Sequence, residues 1–217
     1  MKPGSPSALA LLVGGTAIVA PALHSLSDLV EWVQGGYSTA QLWLNYAAFL
    51  PMPWLLLGVY AVHDPRPRWP ALAGALLYGA AFTYFSHTTL LALASRTPDY
   101  EALWAGLGTT YTVHGALMVL GGLVFGASAW RARWLPRAAL GLFMAGLALN
   151  LVLALVAVPD IAQAAASAIR NAGLIAMGLA IVSGRPGGRA GRASTQGFAG
   201  PAAANASSSI RTSASRS

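Results

Sequence analysis

Apolar residues run along this chain in long, nearly unbroken stretches, and the polar positions between them come as short clusters rather than as the alternating faces of a soluble helix or strand. The first stretch, Ala8 to Leu23, keeps helical spacing through His24, Asp28, Glu31 and Trp32 until Gly35-Gly36 stops it, so helix 1 is expected to outlast its apolar part. Helix 2 is expected over about 39–62, bent near its middle because Pro51 and Pro53 remove amide donors. Helix 3 is expected over about 70–95. After the polar link Arg96 to Glu101, helix 4 follows over about 102–130, then helix 5 over about 136–158. Pro159-Asp160 reads as a tight turn into helix 6, about 161–183.

Each stretch approaches the roughly 20 apolar residues that cross a bilayer core of about 30 Å, which predicts an all-α, polytopic membrane bundle of six transmembrane helices within residues 1–183. Composition agrees, since 56% hydrophobic and 9% charged residues leave too little polar surface for a soluble protein of 217 residues. From Gly184 the chain turns to Gly, Ala, Ser and Arg. Such a composition cannot offset the entropy of folding, and residues 184–217 are expected to be a disordered basic tail.

Charge orients the bundle. Lys2, Arg66, Arg68, Arg131, Arg133, Arg137 and the tail arginines fall on one side of six spans, while Arg96 falls on the other with Asp28, Glu31, Asp99, Glu101 and Asp160. The positive-inside rule then places both termini in the cytoplasm, with a bacterial inner membrane as the expected location. Trp69, Trp130 and Trp134 would mark the inner interface, and Trp32, Tyr37, Trp43, Tyr100 and Trp104 the outer one. The net charge of +7 is accounted for by this topology, so the lipid bilayer and not nucleic acid is the expected partner. Lys2, a short apolar run and Ala20-Pro21-Ala22 also resemble a secretory signal, but the helical pattern continues past that site and favours a retained span.

Ionisable groups inside a bilayer are costly and mark the places where chemistry is to be sought. His24, Asp28 and Glu31 fall at i, i+4 and i+7 on one face of helix 1. His87 and His114 lie in helices 3 and 4 at expected depths of about 12 and 18 Å, and Arg170-Asn171 lies about 15 Å down helix 6. Asn45 and Tyr46 on helix 2 and Asn150 on helix 5 stand at compatible depths, completing the candidate ligand-binding set. His24, Asp28, Glu31, His87 and His114 are the candidate metal ligands. A haem held by His87 and His114, or a divalent metal, is the candidate cofactor; the chain has no cysteine for a thiolate site. Arg170 is expected to face the bundle and to reach Asp28 or Glu31.

Three functions fit this pattern. One is a binding or carrier protein with a His, carboxylate and Arg pocket in the outer half of the membrane, holding a metal, a haem or a small amphiphile. Another is a membrane-embedded acid–base enzyme on a lipid-like substrate, and the third an accessory subunit whose buried polar groups specify helix packing. Gly122 to Gly126 is a GxxxG spacing expected to serve close helix contact.

Overall fold

A computed structural model of the chain describes residues 6–63, 69–156 and 160–184. It is all-helical among these residues: α1 (Ala8–Gln34), α2 (Thr39–Phe49), α3 (Met52–Ala61), α4 (Trp69–Ser95), α5 (Tyr100–Leu107), α6 (Thr109–Ala132), α7 (Arg137–Leu153) and α8 (Asp160–Val182). The expected tail beyond Gly184, Lys2, Asp64 to Arg68 and Pro159 lie outside the described residues.

Local chemistry sets the boundaries. Ser7 caps α1 by accepting from the Ala10 amide at 3.1 Å, and Gly35, at φ 69°, closes it in a left-handed turn whose next amide, Gly36, returns to the Glu31 carbonyl. Ser38 caps α2 in the same way, and Pro51 and Pro53 split helix 2 into α2 and α3. The expected continuous helix 4 is corrected. Gly108 stands at φ 54°, ψ −132°, a conformation open to glycine and closed to most residues, so an eight-residue α5 capped by Asp99 precedes a separate α6. Helix 5 ends at Leu153, earlier than expected.

Among the described residues four stretches are long and apolar enough to cross a membrane: α1, α2 with α3, α6 and α8. α4 has 27 residues, but Tyr, Ser, His and Thr side chains over its second half lower its hydropathy, and α7 is a shorter apolar helix of 17 residues. The assembly is a helical bundle of the kind a membrane accommodates. Its exterior displays Leu12, Trp54, Leu76 and Leu155, each more than half exposed, whereas His24, Ser27, Gln41, Arg170 and Asn171 are buried. That inversion is the arrangement lipid selects.

The helices close into a ring in chain order. α1 packs on α2 and α3, these on α4, α4 on α6, α6 on α7, α7 on α8, and α8 returns to α1. Tyr78, Phe82, Phe125, Phe143, Leu147 and Leu174 fill the interior, all less than 2% exposed. Without a hydrophobic force between helices in lipid, close van der Waals contact must hold the seams, and glycines supply it. A Cβ on Gly178 of α8 would lie 2.6 Å from the Gly14 carbonyl of α1, and one on Gly74 of α4 would lie 2.6 Å from that of Gly121 on α6. On α7 and α8, Gly146 abuts the Arg170 backbone and Gly173 that of Phe143. Gly122 and Gly126 receive Leu147 and Met144 of α7, so the GxxxG spacing serves a contact within the chain.

Candidate functional site

The α7–α8 seam is so close at Gly146 that it fixes the backbone from which Arg170 projects toward the ring's centre. Arg170 is 2% exposed. Its guanidinium touches three other helices. Nη2 lies 3.1 Å from Nδ1 of His24 on α1, Nη1 lies 3.5 Å from the Met118 sulfur on α6, and the cation stands 5.9 Å over the Phe82 ring on α4. Both Nε and Nη2 donate to Oδ1 of Asn171 at 3.3 Å, and Asn171 Nδ2 donates to Ser25 Oγ at 3.0 Å, tying α8 to α1 a second time.

This geometry fixes the state of His24. A guanidinium only donates, so Nδ1 must accept and carry no proton, which leaves the proton on Nε2. Nε2 lies 3.4 Å from Oδ1 of Asp28, one turn along α1, and the neutral imidazole thus bridges Arg170 and the carboxylate. The His24 ring also meets Phe49 of α2 edge-on at 4.7 Å. Arg170 therefore engages α1 through a histidine.

Glu31, two turns up the stripe, belongs to a different neighbourhood. Gln41 of α2, 1% exposed, donates from Nε2 to Ser27 Oγ at 3.0 Å and to Glu31 Oε2 at 3.4 Å, while Ser27 donates to the Gln41 carbonyl at 3.4 Å. Tyr37, Tyr100 and Tyr111 gather on this side, Tyr100 and Tyr111 with ring centres 5.8 Å apart. In the loop outside the helices, burial and then the Glu31 carboxylate push the Tyr37 phenol up, so it stays protonated.

The remaining candidates disperse. His87 is exposed on α4. His114 stacks on Tyr84 with centroids 3.7 Å apart, and its Nδ1 lies 2.7 Å from the Thr110 carbonyl. Because α6 begins at Thr109, His114 lies only about 8 Å from the helix start and not the 18 Å that a continuous helix 4 implied. Among the described residues no three His, Asp or Glu side chains gather to hold a metal ion. Of His24, Asp28, Glu31, His87 and His114, His24 and Asp28 meet on α1, while Glu31 accepts from Gln41, His87 is exposed on α4 and His114 stacks on Tyr84. Tyr46 packs against Trp43, Asn45 keeps a buried Oδ1 without a hydrogen bond, and Asn150 donates to Ser167 Oγ at 3.1 Å while its own Oδ1 lacks a partner. The Tyr78 hydroxyl, wholly buried on α4, is also unpartnered.

Sequence reasoning did not select Gln41, Ser25, Phe49 or Tyr78. Gln41 carried a usable signal, since with Asn45 it forms an i, i+4 amide pair inside an apolar helix. Compared with protein-family models, with curated proteins and with solved structures, the chain matches none.

Proposed function

We propose that this chain is a six-span integral membrane protein, both termini in the cytoplasm of a bacterial inner membrane, that binds or carries a small acidic amphiphile at Arg170. The observation that carries this reading is a buried cation whose direct contacts, His24, Asn171, Met118 and the Phe82 ring, are all neutral. A guanidinium in a medium of low dielectric is stabilised most by an anion, and charge-assisted hydrogen bonds are roughly twice as strong as neutral ones. A carboxylate head would displace Nδ1 of His24 as the acceptor for Nη2. His24 keeps its Nε2 bond to Asp28 throughout, so Asp28 balances the arginine when no ligand is present, and when a ligand carboxylate pairs with the guanidinium Asp28 takes up a proton, which leaves the charge of the site unchanged.

The unpartnered Tyr78 hydroxyl supports the same reading, because a buried hydroxyl without a partner is accounted for by a group that arrives from outside. The acid–base enzyme has less support. Both ring nitrogens of His24 are engaged, one by Arg170 and one beside Asp28, and neither is free to take a substrate proton.

Octanoate and octanol, compared by thermal shift on detergent-purified protein, test the proposal. Octanoate should raise the melting temperature and octanol should not, and Arg170→Lys should keep part of the shift that Arg170→Gln loses. Equal shifts from acid and alcohol, or none from either, would return the cluster to a packing role in an accessory subunit.

A further inference from the structure

On the outer flank of the ring, the seam between α1 and α2 opens into a groove of about 300 Å³. Gly15, Thr16, Val19 and Leu23 of α1 form one wall, and Ala47 and Pro51 at the end of α2 form the other. It exists for two local reasons. Gly15 has no side chain, and nothing lies within 4 Å of where its Cβ would stand; Pro51 interrupts helix 2 at that level. The upper end adjoins the site already described. Leu23 precedes His24 and Ala47 precedes Phe49 by two residues, and the rings of His24 and Phe49 meet across the same seam, with Arg170 3.1 Å beyond His24.

We infer that this groove is the tail subsite of the amphiphile whose acidic head pairs with Arg170, and that a single acyl chain lies in it with the His24–Phe49 pair as the gate between tail and head. The inference rests on the proposed function and adds the substrate class, a single-chain fatty acid. Lipid tails are as apolar as the groove, so the groove contributes no hydrophobic driving force; it selects by shape, and the affinity resides at the guanidinium. The occupant follows from the two ends. An apolar groove of about 300 Å³ admits a tail, and the buried cation behind His24, the residue after the groove's Leu23, has only neutral direct contacts and calls for an anionic head. An acid headgroup reaches Arg170 by displacing His24 from Nη2, which moves the imidazole toward Asp28 and away from the Phe49 edge.

The test uses the full chain in phosphatidylcholine nanodiscs with palmitic acid carrying a mid-chain diazirine, and the matching alcohol as control. Illumination should label peptides holding Gly15 to Leu23 and Ala47 to Pro51. Gly15→Trp, which fills open space and should leave the melting temperature unchanged, should abolish that labelling. Labelling that survives Gly15→Trp, or that spreads evenly over exposed sites such as Trp54 and Leu155, would overturn the groove, and an octanoate shift that persists in this variant would leave the Arg170 head site standing. Equal labelling by acid and alcohol, unaffected by Arg170→Gln, would instead overturn the acidic head while keeping the tail subsite.

Discussion

α1 presents two polar clusters within one stripe, and they face different neighbours. At about 100° per residue, Ser25, Asp28, His24, Glu31 and Ser27 spread over roughly 160° of the helix surface. The side that carries Ser25 and His24 meets Asn171 and Arg170 of α8, and the side that carries Ser27 and Glu31 meets Gln41 of α2. The first cluster is built round a formal charge deep in the ring, and the second round hydrogen bonds among an amide, a hydroxyl and a carboxylate at the helix end. A stripe spaced i, i+4, i+7 need not converge on one ligand. Where two helices flank a third, the stripe is divided between them, and only the part aimed at the ring's centre meets the buried cation.

The largest test of that division is a pair of double-mutant cycles followed by SDS-driven unfolding in mixed micelles. Arg170→Ala should cost about 3 to 5 kcal/mol, because it strands Asp28 beside a neutral histidine without its counter-charge. Adding Asp28→Ala should recover part of that loss. Arg170→Ala with Glu31→Gln should be additive within about 0.5 kcal/mol, because Arg170 bonds to His24 and Asn171 whereas Glu31 accepts from Gln41. Strong coupling between Arg170 and Glu31 would merge the two clusters into one.

A smaller effect is expected where the first cluster depends on backbone placement. Gly146→Ala would drive a Cβ into the Arg170 backbone and should cost about 1 to 3 kcal/mol, together with the octanoate shift. Gly115→Ala, with open space around it, should leave both unchanged. If Gly146→Ala keeps full stability and full ligand response, the α7–α8 seam does not position Arg170. In the second cluster, Gln41→Leu removes the bonds to Ser27 and Glu31 but also an amide oxygen that has no partner, so the loss should stay near 1 kcal/mol and the octanoate shift should survive.

Much of this was legible in the sequence, and the exceptions have physical causes. Apolar run lengths located the helices of the bundle because lipid demands long self-satisfied helices, and the prolines at 51 and 53 marked a break because a missing amide acts locally. Arg170 was legible as an inward-facing residue because exposure of a guanidinium to lipid is too costly. Its partner was not. Depth arithmetic pointed to a carboxylate on helix 1, but it carries no information on the rotation of α1 about its own axis, which brings Gly14 against Gly178 of α8 and seats His24 against Arg170 with Asp28 behind it. That no three of the candidate metal ligands gather was illegible for the same reason, since residue type says nothing of azimuth. Gly108 misled differently: inside an apolar run a glycine reads as tolerated, and only its left-handed φ reveals that helix 4 is two helices.

The smallest expected effect separates two histidines. His24 sits in the ring with both nitrogens engaged, whereas His63 lies past the end of α3, stacked on Trp134 at 5.6 Å and donating from Nδ1 to the Val59 carbonyl at 2.6 Å. Burial holds His63 below its ordinary 6.5, and the hydrogen bonds to the Val59 and Trp134 carbonyls only partly oppose this. With the folded value below the unfolded one, the unfolded chain binds the extra proton first. His63 therefore contributes stability that is present above pH 6.5 and lost as pH falls from there through its folded value. His63→Gln should flatten the decline in unfolding midpoint between about pH 7 and 5 without altering the octanoate shift measured at pH 7.5. A midpoint that rises on acidification, or a decline that His63→Gln leaves intact, would move the pH response away from this end of the bundle and toward the ring.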